Sequence, residues 1–87
     1  MLQYKEMTRT FLAEYTDALR KRRALTQERM AEQLHITSRA YGDLERGKYC
    51  FSANALLFLL LMLEESEVVS FLQSYRGEIC ALEGSFS

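Results

Sequence analysis

The sequence predicts an all-α fold, a five-helix bundle around one core. Three observations carry this. The 87 residues include no proline and only four glycines, so little interrupts a helix. Apolar side chains recur at three- and four-residue steps through successive stretches, and no strand is apparent. Residues suited to begin a helix, Thr26, Thr37 and Ser52, stand ahead of three of those stretches. The length allows one domain, residues 1–87, with a modest core, for which 48% hydrophobic residues is ample.

The first helix is expected over Lys5–Arg22, with Met7, Phe11, Tyr15, Ala18 and Leu19 on its apolar stripe. Arg20, Lys21, Arg22 and Arg23 load its C-terminal end. They suit the helix dipole there, and one or two of them are equally suited to face phosphate. Residues 26–47 then read as two short helices joined by a tight turn. Thr26 caps the first, in which Met30, Ala31 and Leu34 share a face; small Ala31 lets the helices approach closely. Ile36 plugs the angle between them. Thr37 caps the second, where Tyr41 and Leu44 point inward and Ser38, Arg39, Gly42 and Asp43 point outward. Gly47 suits a left-handed helix stop. The fourth helix covers about 53–63 and is apolar on nearly all sides. Leu56, Leu59, Leu60 and Leu63 suffice to close the core, which leaves Leu57, Phe58 and Leu61 on the opposite side. The fifth, about 67–82, carries Val68, Phe71, Leu72, Tyr75, Ile79 and Leu82 as its stripe, and the last residues, EGSFS, are expected to fray.

Residues 25–47 carry three words at fixed spacing: L-T-Q at Leu25–Gln27, M-A-E-Q-L at Met30–Leu34 and L-E-R-G at Leu44–Gly47. Together they resemble the helix-turn-helix family of the phage Cro and CI repressors, over about Arg20 to Leu63. The resemblance implies a lambda-repressor-like DNA-binding domain in which residues 38–46 form the recognition helix. Ser38, Arg39 and Asp43 fall at the family's base-reading positions, and Gln27, Arg46 and Lys48 at positions beside the duplex backbone. Arg39 is the best reader, because its planar fork engages guanine O6 and N7 together. Asp43 has two open roles, accepting from cytosine N4 or pairing with Arg39 one turn earlier. Gly42 either permits close approach to DNA or is merely tolerated. The resemblance also matches Arg20 and Glu45 to a partly buried ion pair that orients the recognition helix. His35 stands where the family commonly has glycine and is read as structural.

Net charge is −1, but it is unevenly spread. Residues 18–50 hold eight of the eleven basic side chains and four of the twelve acidic ones, so positive charge gathers at the motif. An enzyme is not expected: the single histidine, His35, lies in the motif turn, and no glycine-rich phosphate loop follows a strand. One histidine with two distant cysteines, Cys50 and Cys80, argues against a metal site and for reduced thiols in the cytoplasm. No cofactor is implied. The N-terminus lacks a signal-peptide core, and the longest apolar run, nine residues at Ala55–Leu63, is too short to span a bilayer. The leading expectation is a bacterial or phage transcriptional regulator, repressor-like, that binds a short two-fold site on double-stranded DNA. It would do so as a homodimer through Leu57, Phe58, Leu61 and the fifth helix. The alternative is a protein-interaction module or antitoxin-type partner protein that keeps the scaffold with weak or no DNA affinity.

Overall fold

The computed structural model describes residues 3–84. Five helices follow in order: α1 (Tyr4–Arg22), α2 (Gln27–Leu34), α3 (Ser38–Glu45), α4 (Ala53–Leu61) and α5 (Glu65–Gly84), with no strand among the described residues. Three helix starts are closed by the side chain before them. The Thr26, Thr37 and Ser52 hydroxyls accept from the amides of Arg29, Ala40 and Ala55 at 3.1, 3.0 and 3.1 Å. The links turn through left-handed residues at Ala24 (φ 55°), His35 (φ 59°) and Gly47 (φ 74°). Ala24 had no signal in the sequence, since alanine gains nothing locally in that conformation.

The core lies where α2 and α3 meet α1 and α4. Leu12, Leu19, Met30, Ala31, Leu34, Tyr41, Leu59 and Phe71 are buried together. The α1 stripe is wider than the expected one: Leu12, Ala13, Thr16 and Leu19 are buried and Phe11 and Tyr15 pack partly buried against the core, while Ala18 is exposed. The reason is that α1 serves two neighbours, α3 on one side and α5 on the other, so its buried surface is wider than one periodic stripe. On the α5 side the contact is aromatic. Phe71 meets the rings of Tyr15 and Phe11 at centroid distances of 4.8 and 5.5 Å, and Tyr75 meets Phe11 at 5.3 Å.

The fourth helix is shorter than expected, ending at Leu61, and Ala55 and Leu59 are its fully buried residues. Leu57 and Leu61 do face outward, 59% and 78% exposed. Phe58 does not join them. It is half-buried against the core, its ring 4.1 Å from that of His35. Phe58 covers the end of α2, where the left-handed turn at His35 presents the imidazole face. The fifth helix starts earlier and runs longer than expected. Leu72, placed on its inner stripe by periodicity, is 52% exposed. Of the expected frayed end, Glu83 and Gly84 are helical, and residues 85–87 lie outside the described residues.

The basic run at the end of α1 is occupied within the protein. Lys21 pairs with Asp17 at 3.0 Å and Arg20 with Glu45 at 2.9 Å. Arg22 and Arg23 both donate to Glu67, at 2.8 and 2.6 Å, and Arg23 also donates to the Met62 carbonyl at 2.9 Å. Arg23 thus joins the end of α4 to the start of α5, a charged clamp that local spacing gave no reason to expect. Each of the four cations of this run thus has an acidic partner, with Lys21 and Arg22 still largely exposed.

Glu67 is the acidic centre of the clamp. The Glu64 amide first, then Arg22 and Arg23, hold its carboxyl at about 2, below the ordinary 4.5. Its folded form favours the carboxylate, so this stabilisation is complete above about pH 4.5 and is lost as pH falls from there towards 2. Glu67→Gln should therefore lower Tm at neutral pH and have progressively less effect below pH 4.5. Melting curves of the two proteins from neutral to acid pH test this; a constant offset across the range would disprove it.

Candidate nucleic-acid interface

The recognition-helix candidate is α3, eight residues long. Its own length gives it little stability, because isolated helices this short do not persist in water. It holds its shape through three anchors. Thr37 caps its start. Tyr41 (0% exposed) and Leu44 (7%) bury its inner face. Arg20 grips its last residue: the guanidinium donates from Nε and Nη2 to the two Glu45 carboxylate oxygens at 3.1 and 2.9 Å, and from Nη1 to the Leu25 carbonyl at 3.1 Å. These side chains are only 16% and 9% exposed. Hydrogen bonding to Glu45 raises the Arg20 pKa further above its ordinary value, so the guanidinium stays charged. Burial, then the Glu45 carboxylate, pushes the Tyr41 phenol up as well, keeping it neutral beside the pair.

With the inner face pinned, the first turn of α3 presents Ser38 and Arg39 outward. Both are exposed and make no side-chain hydrogen bond or ion pair among the described residues. Gln27, the first residue of α2, is likewise exposed and unpaired there. Lys48 is exposed after the left-handed turn at Gly47, its ammonium 5.6 Å from the centre of the Tyr49 ring. These four side chains are open to a ligand without breaking any interaction that shapes the fold.

Gly42 departs from the sequence expectation, and Asp43 pairs with another arginine than the expected one. Gly42 is buried, not outward-facing. A Cβ there would meet the Arg46 guanidinium at 3.3 Å, a tight contact that the missing side chain spares Arg46 as it lies back along the helix. Arg46 then hydrogen-bonds Asp43, whose side chain is only 13% exposed. Asp43 does pair within the helix, but with Arg46, three residues on, and not with Arg39. An acid placed N-terminal to its base is the favoured order on a helix, and a cation also gains at the C-terminal end. Gly42 thus lies under Arg46 and takes no place on the exposed face of α3. The D-x-x-R spacing of Asp43 and Arg46 is the sequence signal for this pair.

Residues 18–67 match the helix-turn-helix family, more than half of the chain. The chain belongs to the Cro/CI-like helix-turn-helix family. This is a family of DNA-binding transcription regulators, and the match spans the end of α1, all of α2 to α4 and the clamp at Glu67. Comparison with curated proteins and with solved structures finds no match. No helix among the described residues is long and apolar enough to cross a membrane, and no group of His, Cys, Asp and Glu there is placed to hold a metal ion. The helix-turn-helix scaffold therefore presents a polar and cationic outer surface, built on Gln27, Ser38, Arg39 and Lys48, and carries Arg46 folded onto Asp43.

Proposed function

We propose that this protein is a repressor-like transcription regulator that binds a short two-fold site on double-stranded DNA as a homodimer. The observation that carries the reading is the first turn of α3: Ser38 and Arg39 exposed and unpaired on a helix whose other side is anchored by Tyr41, Leu44 and the Arg20–Glu45 pair. Arg39 reads a guanine edge, and Ser38 bonds an adjacent base or phosphate. Gln27 and the amides that begin α2 meet the backbone on one side of the motif, and Lys48 meets it on the other. Arg46 turns from Asp43 to a phosphate, which frees Asp43 to accept from cytosine N4. The dimer joins through the outer faces of α4 and α5, where Leu57 and Leu61 stay uncovered; Phe58 supports this face from beneath. A two-fold dimer sets its recognition helices about 34 Å apart, one turn of duplex.

The test is a titration against DNA upstream of the protein's own gene, at several salt concentrations. Binding should weaken steeply with salt as phosphate contacts release counterions. Arg39→Ala should cost about 1–3 kcal/mol on the preferred sequence and relax discrimination. Lys48→Ala should weaken all sequences alike and reduce the salt slope by about one. If both variants bind every DNA as the wild type does, the assignment of α3 fails. Absence of salt-dependent binding would favour the interaction-module or antitoxin-type alternative, for which the Asp43–Arg46 pair already neutralises one cation of this surface.

A further inference from the structure

We infer that α5 pairs antiparallel with α5 of a second copy in a single register, with Glu65 against Arg76 of the partner subunit and Val69 against Leu72 of the partner subunit. The inference rests on the dimer proposed above and adds its geometry.

Glu65, Val69, Leu72 and Arg76 follow at steps of four, three and four residues, so they share one narrow stripe along α5. All four are exposed, Val69 at 54% and Leu72 at 52%. The stripe is separate from the face that holds Phe71 against α1. Arg76 is the sole basic residue in 51–87, and neither it nor Glu65 has an ion-pair partner among the described residues. An acid at one end, a base at the other and two aliphatic residues between them make a stripe that complements its own reverse.

The register follows from symmetry. In an antiparallel pair related by a two-fold axis, residues equally distant from the axis face each other. Glu65 and Arg76 are equidistant from the point between Ser70 and Phe71, and so are Val69 and Leu72. One axis position therefore satisfies both the charged and the apolar contacts, twice over. A parallel pair would set Glu65 against Glu65 and Arg76 against Arg76, which is repulsive. Leu72 also borders an apolar cleft of about 240 Å³ lined by Leu12, Leu56, Phe71 and Tyr75, so a side chain docked on Leu72 covers the mouth of that cleft. Most of α5 lies beyond the family match, which ends at residue 67. The pairing surface is thus a property of this chain beyond its helix-turn-helix core.

Charge reversal tests the register. Glu65→Arg alone sets two arginines together at both ends of the dimer, and Arg76→Glu alone sets two glutamates together. Each should weaken dimerisation about tenfold or more, with circular dichroism unchanged. Two rescues are expected, both read by sedimentation at low salt. The double variant Glu65→Arg, Arg76→Glu should dimerise as the wild type does. An equimolar mixture of the two single variants should form a heterodimer of wild-type affinity, because each copy then offers the charge the other needs. If the wild type dimerises but the single variants do so equally well, or the mixture is not rescued, the register is wrong while the dimer stands. A wild type that is monomeric at high micromolar concentration overturns the dimer itself.

Discussion

Glu45→Gln is expected to destabilise the protein by about 3 kcal/mol, because it leaves Arg20, in a place with little water, facing only the more distant Asp17 carboxylate at 3.5 Å. The Arg20 side chain is 16% exposed and that of Glu45 9%. Breaking a buried pair costs about 3–5 kcal/mol and an exposed one under about 1; the residual exposure and the Asp17 carboxylate that still faces Arg20 place the loss at the low end of the former range. For a domain of this size, that corresponds to a fall in Tm of about 10 °C or more. Arg20→Met should be at least as damaging, since it also abandons the Leu25 carbonyl, which now accepts from Nη1. The double variant Arg20→Met, Glu45→Leu should recover much of the loss, because neither charge is then stranded. Thermal melts of the three variants decide the matter. A Glu45→Gln melt within error of the wild type would show that solvent reaches the pair freely. The functional consequence follows the same route: α3 is too short to stay helical alone, so loosening its last residue loosens Ser38 and Arg39 at its first turn.

Phe71→Ala should cost about 3–5 kcal/mol, the usual range for removing a buried aromatic ring. Phe71 is 6% exposed and is the only buried residue of α5. Its ring stands edge-on to Tyr15 and tilted against Phe11, so truncation removes both aromatic contacts with α1 as well as apolar burial. What remains between α5 and the rest is the Tyr75 ring against Phe11 at 5.3 Å and a set of polar contacts: the Arg22–Glu67 and Arg23–Glu67 pairs at one end, the Thr8–Tyr75 hydroxyl contact at 2.6 Å, and Tyr4 donating to Glu83 at 2.6 Å. The exposed ones among these polar contacts, Arg22–Glu67 and Tyr4–Glu83, contribute little each. The variant should therefore lose stability overall and show early amide exchange along α5, while α2 and α3 stay protected longer. A loss under about 1 kcal/mol would mean that Phe71 is not packed against α1 in solution.

The elements with local causes were legible in the residues alone. Thr26, Thr37 and Ser52 cap helices because a short hydroxyl side chain reaches the amide three residues ahead, whatever the surroundings. Gly47 marks a left-handed turn for an equally local reason, whereas at His35 it is the resemblance to a family with glycine there that points to one. The helix-turn-helix words sit at a spacing that the family match confirms over residues 18–67. Ser38 and Arg39 follow as outward residues once Tyr41 and Leu44 are taken as inward. What only the tertiary structure decided involves partners distant in the chain or choices between near-equivalent faces. Arg22 and Arg23 could not be assigned to Glu67, some 45 residues away, by any local rule. A helix apolar on all sides does not say which leucine meets the core, so Phe58 and Leu61 became distinguishable only when His35 took one of them and solvent the other. Periodicity locates a buried face only to within about a third of a turn, too coarse to tell that Thr16 would be buried and Ala18 exposed once α1 lay between α3 and α5.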